Sequence, residues 1–308
     1  MKYLVTGTTI IDNLIYVDGS TVDRIMGGCA IYSLSGIRMF DDDVVCLSGV
    51  GNDFDSYYGE WLDRNHITHE GFLVRDEHTN QTHLKYAPDG SYTCKSIYGG
   101  STSGVHNPAL WLKMDDLRPW LPKIKGLYMF YDINDIYGDA YRLKDKYGYR
   151  IMWEYPNWND TSYIPVFEET IKYCDYYSLN FNEASALFGV KTMSDAEQKI
   201  RSYGIPCYFR LGTKGACMIT KDETWFVPMI NLSGTNEGVD PTGCGNSSTA
   251  ACFWGLNEGY DPLMSAILGN VMAGFSALQY GPYPDLGPET RAKAWEIAKT
   301  YYDKYKKS

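Results

Sequence analysis

Hydrophobic positions along the chain follow two main rhythms. Short apolar runs at residues 3–5, 44–47, 126–130, 150–153, 176–179, 207–211 and 216–220 have the length and density of buried strands. Stretches 29–40, 54–65, 139–147, 183–188 and 195–203 carry helical spacing instead. In 54–65, for example, Phe54, Tyr57, Tyr58, Trp61 and Leu62 share one side. The final stretches 247–256, 262–278 and 288–305 also read as helices. Strand–helix alternation of this kind predicts an α/β fold, with a mostly parallel central sheet flanked by helices on both faces.

From about residue 68 to 100 the period changes to two. Segments 82–87 and 91–98 alternate around Pro88-Asp89-Gly90, a hairpin signal. Leu84 and Tyr86 share one face, and Tyr92, Cys94, Ser96 and Tyr98 share another. A second extended stretch at 13–17 ends in a turn at Asp18-Gly19. These segments, about 13–26 and 68–100, predict a small β-sheet standing off the larger body as a flap. An ordinary edge hairpin is the alternative. No repeat or low-complexity linker divides the chain, so residues 1–308 are expected to form a single domain. In open sheets of this class, ligands sit at the carboxyl ends of the strands.

Composition narrows the function. A hydrophobic share of 44% and a charged share of 21% are ordinary for a globular protein. No apolar stretch approaches a bilayer's thickness, and the start reads as a buried strand and lacks the features of a signal peptide, so a cytoplasmic protein without membrane contact is expected. A formal net charge of −10 opposes nonspecific nucleic-acid binding, and the one basic cluster, Lys304 to Lys307, suits a solvated helix end. Eight cysteines without a C-x-x-C pair suggest reduced thiols. His66-x-x-His69 is more economically a solvated pair than a metal site. The 27 tyrosines offer an apolar face and a hydroxyl, which suits sugar or base binding as well as a core.

The sharpest chemical signal is Asp240-Pro241-Thr242-Gly243-Cys244-Gly245-Asn246, followed at once by a helix-forming run. Two alternate glycines permit a tight turn and close backbone approach, and a helix N-terminus presents unpaired amides to an anion such as phosphate. A loop capped by Asn246 or Ser247 is the structural alternative.

This segment resembles the D-T-x-G-A-G-D signature of the ribokinase-like (PfkB) carbohydrate kinases, with Asp240, Thr242, Gly243 and Gly245 matching. Further resemblances follow in the family's order. They are Gly27-Gly28 with Tyr32, Gly49-Val50-Gly51-Asn52-Asp53 with Gly59, Asn180-Phe181-Asn182-Glu183, and Arg210-Leu211-Gly212-Thr213-Lys214-Gly215. The period-two hairpin lies where the family inserts its substrate lid. The resemblance implies a ribokinase-like fold, ATP and Mg²⁺ as cofactors, a monovalent cation in some relatives, and a small-molecule sugar or nucleoside as partner. A homodimer through the lid stays open.

By the same resemblance, Gly243, Cys244 and Gly245 form the anion hole, and Asn246 stands in the general-base position. Asp12, read as closing the first strand, with Gly27, Gly28 and Tyr32, would hold the acceptor. Asn180, Glu183, Arg210, Gly212, Gly215, Asp240, Thr242 and Asn270 would face the nucleotide, with Glu183 reaching the metal through water. Each has a structural alternative: a turn for Asp12, a helix start for Gly28, a first-turn carboxylate for Glu183, and a salt bridge for Arg210. Arg210 also departs from the family's threonine.

The departure that matters is Asn246, because an amide cannot take a proton at neutral pH. Three accounts remain open: a kinase with another base, a binding protein for a sugar or nucleotide without catalysis, or an engineered Asp→Asn change. Asp12, Asp132 and Glu154 are candidate replacement bases. A nicotinamide dehydrogenase and a P-loop enzyme are disfavoured, since neither G-x-G-x-x-G after the first strand nor G-x-x-x-x-G-K-[ST] occurs.

Overall fold

The computed structural model describes residues 2–88, 92–98, 107–134, 138–154, 160–234 and 239–306. Thirteen strands form two sheets among these residues. They are β1 (Tyr3–Thr6), β2 (Ile10–Ile15), β3 (Thr21–Gly27), β4 (Val44–Gly51), β5 (Phe72–Asp76), β6 (Asn80–Tyr86), β7 (Tyr92–Ser96), β8 (Gly126–Met129), β9 (Arg150–Glu154), β10 (Tyr176–Asn180), β11 (Cys207–Arg210), β12 (Gly215–Ile219) and β13 (Thr224–Pro228).

The large sheet has nine strands in the order β13-β12-β11-β10-β9-β8-β1-β4-β5. It is parallel from β5 to β11 and antiparallel at its β11-β12-β13 edge. Period-two geometry sends successive side chains to opposite faces, and two separate cores record it. Tyr3, Val5, Tyr128, Met152 and Tyr208 join one core, with helices Cys29–Arg38, Cys244–Asn257 and Pro262–Ser276. Leu4, Leu127, Met129, Ile151, Trp153 and Phe209 join the other, on the opposite side. Glu154 keeps the parity of Met152 and so faces the first core, toward helix Cys244–Asn257.

The small sheet has the order β3-β2-β6-β7, with β2 and β6 parallel and the outer pairs antiparallel. The β6–β7 hairpin therefore lies outside the central sheet, and its turn at Pro88-Asp89-Gly90 falls partly outside the described residues. Two sequence expectations need correction. Residues 72–76, assigned to the flap by their period, pair instead with β4 as the edge of the large sheet. Asp12 does not close β1. It lies inside β2, directly opposite Thr82, because the chain turns after Thr6 and the strand begins at Ile10. No helix among the described residues is long and apolar enough to cross a membrane.

Candidate active site

The glycine turn is built by its own residues. Asp240 is fully buried, and its Oδ1 accepts from the Thr242 N–H at 3.1 Å and the Thr242 hydroxyl at 2.7 Å. Gly243 then takes φ 78°, in the left-handed region that favours glycine, and starts helix Cys244–Asn257. A Cβ at Gly243 would lie 2.1 Å from the Tyr32 ring, and one at Gly245 would lie 2.3 Å from an Arg210 guanidinium nitrogen. Glycine at both positions therefore lets the Tyr32 ring and the Arg210 guanidinium close on the turn. The Cys244 and Ser247 amides bond to the carbonyls of Pro241 and Gly243, whereas those of Gly245 and Asn246 have no acceptor among the described residues. Two free N–H groups at the positive end of a largely buried helix are an arrangement suited to an anion.

Around this turn lies a network of buried charge. Arg210 ends β11, and its guanidinium reaches Glu154 Oε1 at 2.8 Å, Glu183 Oε2 at 3.2 Å and Ser178 Oγ at 3.0 Å. Glu154, the last residue of β9, is 2% exposed, and its Oε2 accepts from the Tyr128 hydroxyl and from Asn246 Nδ2, the latter at 3.2 Å. Glu183 and Asn180 form a reciprocal capping box at the start of helix Phe181–Phe188, where each side chain accepts from the other's backbone amide. Burial pushes the Glu183 carboxyl up, against the opposing pull of Arg210 and the Asn180 amide. The two alternatives read for Arg210 thus resolve in part: the charge is held in a salt bridge, yet beside Gly245 of the glycine turn.

On the other side of the turn, Asp12 Oδ1 accepts from the Thr82 hydroxyl at 2.7 Å, and only a glycine at position 27 leaves space for its Oδ2. Burial pushes the Asp12 carboxyl up to about 6, opposed by the Thr82 hydroxyl and assisted by the nearby charge of Asp240. Gly28 has φ 91° and packs against the backbone of Thr8–Ile10. Tyr32, 2% exposed, bridges the two halves: its hydroxyl reaches Met26 O while its ring packs on Gly243. Tyr86 of β6 touches both Asp240 and Thr242 and stacks on Tyr16 with ring centroids 5.4 Å apart.

Not every residue singled out in the sequence joins this cluster. Asn270 is buried in helix Pro262–Ser276, where its amide is committed to Tyr208, Val227 O and Pro228 O. It ties that helix to β13, which leaves no amide hydrogen to offer a base. Gly215, with φ 114°, permits β13 to approach, and Gly212 opens a single 3-10 turn. Asp132 lies beyond β8 and accepts from the Asn134 amide. Of the three carboxylates considered as replacement bases, Glu154 is the one that contacts Asn246.

The pfkB family carbohydrate kinase profile matches residues 2–288. The chain belongs to the pfkB carbohydrate kinase family. Its fold is similar to that of adenosine kinase from Sinorhizobium meliloti, at 18% identity over 96% of this chain and 99% of that one, with a TM-score of 0.77. It is also similar to a Burkholderia thailandensis nucleoside kinase in complex with inosine, at 16% identity over 98% of each chain, TM-score 0.73. Fructokinase from Vibrio cholerae O395, bound to fructose, ADP and calcium ion, aligns at 16% identity over 97% of this chain and 99% of that one, TM-score 0.73. No curated protein sequence matches. Membership in this kinase family makes the ribokinase-like fold and a phosphotransferase ancestry properties of the chain.

Proposed function

We propose that this family member transfers a phosphoryl group from ATP to a hydroxyl of a sugar, a sugar-like compound or a nucleoside. The observation that carries this reading is the pair of free amides, Gly245 and Asn246, at the start of helix Cys244–Asn257. Glycine at 243 and 245 lets the Tyr32 ring and the Arg210 guanidinium approach the turn, which sets the guanidinium close to the free amides. ATP supplies the phosphoryl group, and Mg²⁺ shares its negative charge.

The chain's own part is positioning and electrostatics. Gly245 and Asn246 amides donate to the transferring group, where charge spreads over the equatorial oxygens. Arg210, against Gly245, offsets the charge of Glu154 and Glu183 beside them and leaves its guanidinium edge facing the turn. No cluster of three metal-ligating side chains occurs among the described residues. Glu183, for which the family resemblance implies a position near the metal, would reach it through water.

The acceptor side comprises Asp12, Gly27, Gly28 and Tyr32, with the small sheet as a lid. Asp12 would accept hydrogen bonds from the acceptor's hydroxyls. The names of the similar folds, which include adenosine, nucleoside and fructose kinases, favour the same class of acceptor.

The test is ATP consumption with Mg²⁺ over a panel of sugars and nucleosides. Acceptor-dependent turnover is expected. ATP binding without turnover on any acceptor would favour a binding protein instead.

A further inference from the structure

Asn246 occupies the family's general-base position, yet its orientation is set by a partner that lies outside the motif. An ionised carboxylate can only accept hydrogen bonds. The Asn246 atom that faces Glu154 Oε2 at 3.2 Å is accordingly the donor Nδ2. This turns Asn246 Oδ1 the other way, and no hydrogen bond reaches that atom among the described residues. Asn246 is half-buried, whereas Glu154 is enclosed.

The charge balance explains why an amide stands at 246. Groups facing Glu154 come from each element around it: Tyr128 of β8, Arg210 and Tyr208 of β11, Glu183 of the helix after β10, and Cys29 of the first helix. Two carboxylates already share one guanidinium. An aspartate at 246 would place a third carboxylate within hydrogen-bond distance of Glu154, where like charges cannot both ionise freely.

We propose that Glu154 is a positioning residue for phosphoryl transfer, which aims the Asn246 carbonyl oxygen at the acceptor's hydroxyl; the amide orients that hydroxyl by accepting its hydrogen bond, and the proton leaves to an oxygen of the transferred phosphoryl group. This inference rests on the phosphotransfer reading given above.

A charge-swap cycle tests it: wild type, Glu154→Gln, Asn246→Asp and the double variant. Each is assayed for kcat and KM between about pH 5.5 and 9, with melting curves to confirm folding. Glu154→Gln frees the Asn246 amide to rotate, and kcat should fall about tenfold or more while the KM for ATP changes little. In the double variant the amide now at the end of β9 can donate to the carboxylate now at the helix start, which restores a proton acceptor there. Its kcat should exceed that of Glu154→Gln by about 10²-fold, with a new acid limb in its pH profile. If Glu154→Gln does not fold, Asn246→Asp alone decides. Its rate should show a limb displaced above the ordinary aspartate range by Glu154, absent from the wild type.

Turnover in which the two substitutions act additively, or an Asn246→Asp profile without that limb, overturns the inference alone. No turnover in any form, with ATP binding retained, overturns the phosphotransfer reading and this inference with it.

Discussion

The Tyr86 hydroxyl, on the small sheet, lies 3.4 Å from Asp240 Oδ1, in the glycine turn of the large body. The same hydroxyl contacts Thr242, so one side chain ties the small sheet to the glycine turn. Tyr86→Phe keeps the ring and its stack on Tyr16 but removes both contacts. One lost hydrogen bond of this kind costs about 1 kcal/mol. The expected result is a folded protein whose KM for the acceptor rises several-fold, with a smaller change in ATP binding, as steady-state kinetics would show. Unchanged acceptor kinetics would detach the small sheet from the site.

Asp12 should trade stability for binding. Its carboxyl is pushed up to about 6 from an ordinary 3.8, so the folded chain holds a proton there that the unfolded chain has released. Stability from this group is present below the ordinary value and is lost as pH rises from about 4 to 6. Asp12→Asn removes that loss, and at pH 7–8 should stabilise the protein by up to about 3 kcal/mol. The gain should vanish below about pH 4, and acceptor affinity should fall because the charged hydrogen-bond acceptor is gone. Thermal unfolding at pH 4 and 8 separates these effects. A variant less stable at both values would contradict the burial argument.

Arg210 holds two buried carboxylates, and its removal should be costly. Arg210→Met leaves Glu154 and Glu183 facing each other without a cation. Breaking a buried pair in this way costs about 3–5 kcal/mol. The triple change Arg210→Met, Glu154→Gln and Glu183→Gln removes the orphaned charges and should recover most of the stability without restoring ATP affinity. Denaturant unfolding and calorimetry give the two readouts. Recovery of full ATP affinity in that variant would remove Arg210 from the anion site.

Much of this architecture was legible in the chain. The apolar runs marked the parallel strands because burial on both faces leaves a continuous signal, and the glycine turn announced its helix. Strand β13 was missed because Trp225 and Phe226 sit at an edge, where burial is partial. Residues 72–76 misled because they fall within the 68–100 stretch and, as an edge strand of the large sheet, are only partly buried. Glu154 was named as a base candidate, but its geometry was hidden because the strand was read as ending at Trp153. One further step at period two puts Glu154 on the side of Tyr128 and Met152, facing the helix that carries Asn246. Tyr86 gave no such signal, since its partners lie more than 150 residues away. The plain first-turn carboxylate read as the alternative for Glu183 proves to be half of a capping box with Asn180, whose N-cap to N3 spacing the chain already carried.

The most direct test of the central claim follows phosphate from γ-labelled ATP into a panel of sugars and nucleosides, with wild type and Gly245→Val side by side. The Val side chain would collide with the Arg210 guanidinium and push it from its place beside the free amides. Label should reach at least one acceptor with wild type, and fall by about 10²-fold or more with the folded variant, as loss of oxyanion-type donors does. Equal transfer by both proteins, or none by the wild type on any acceptor, would contradict the account.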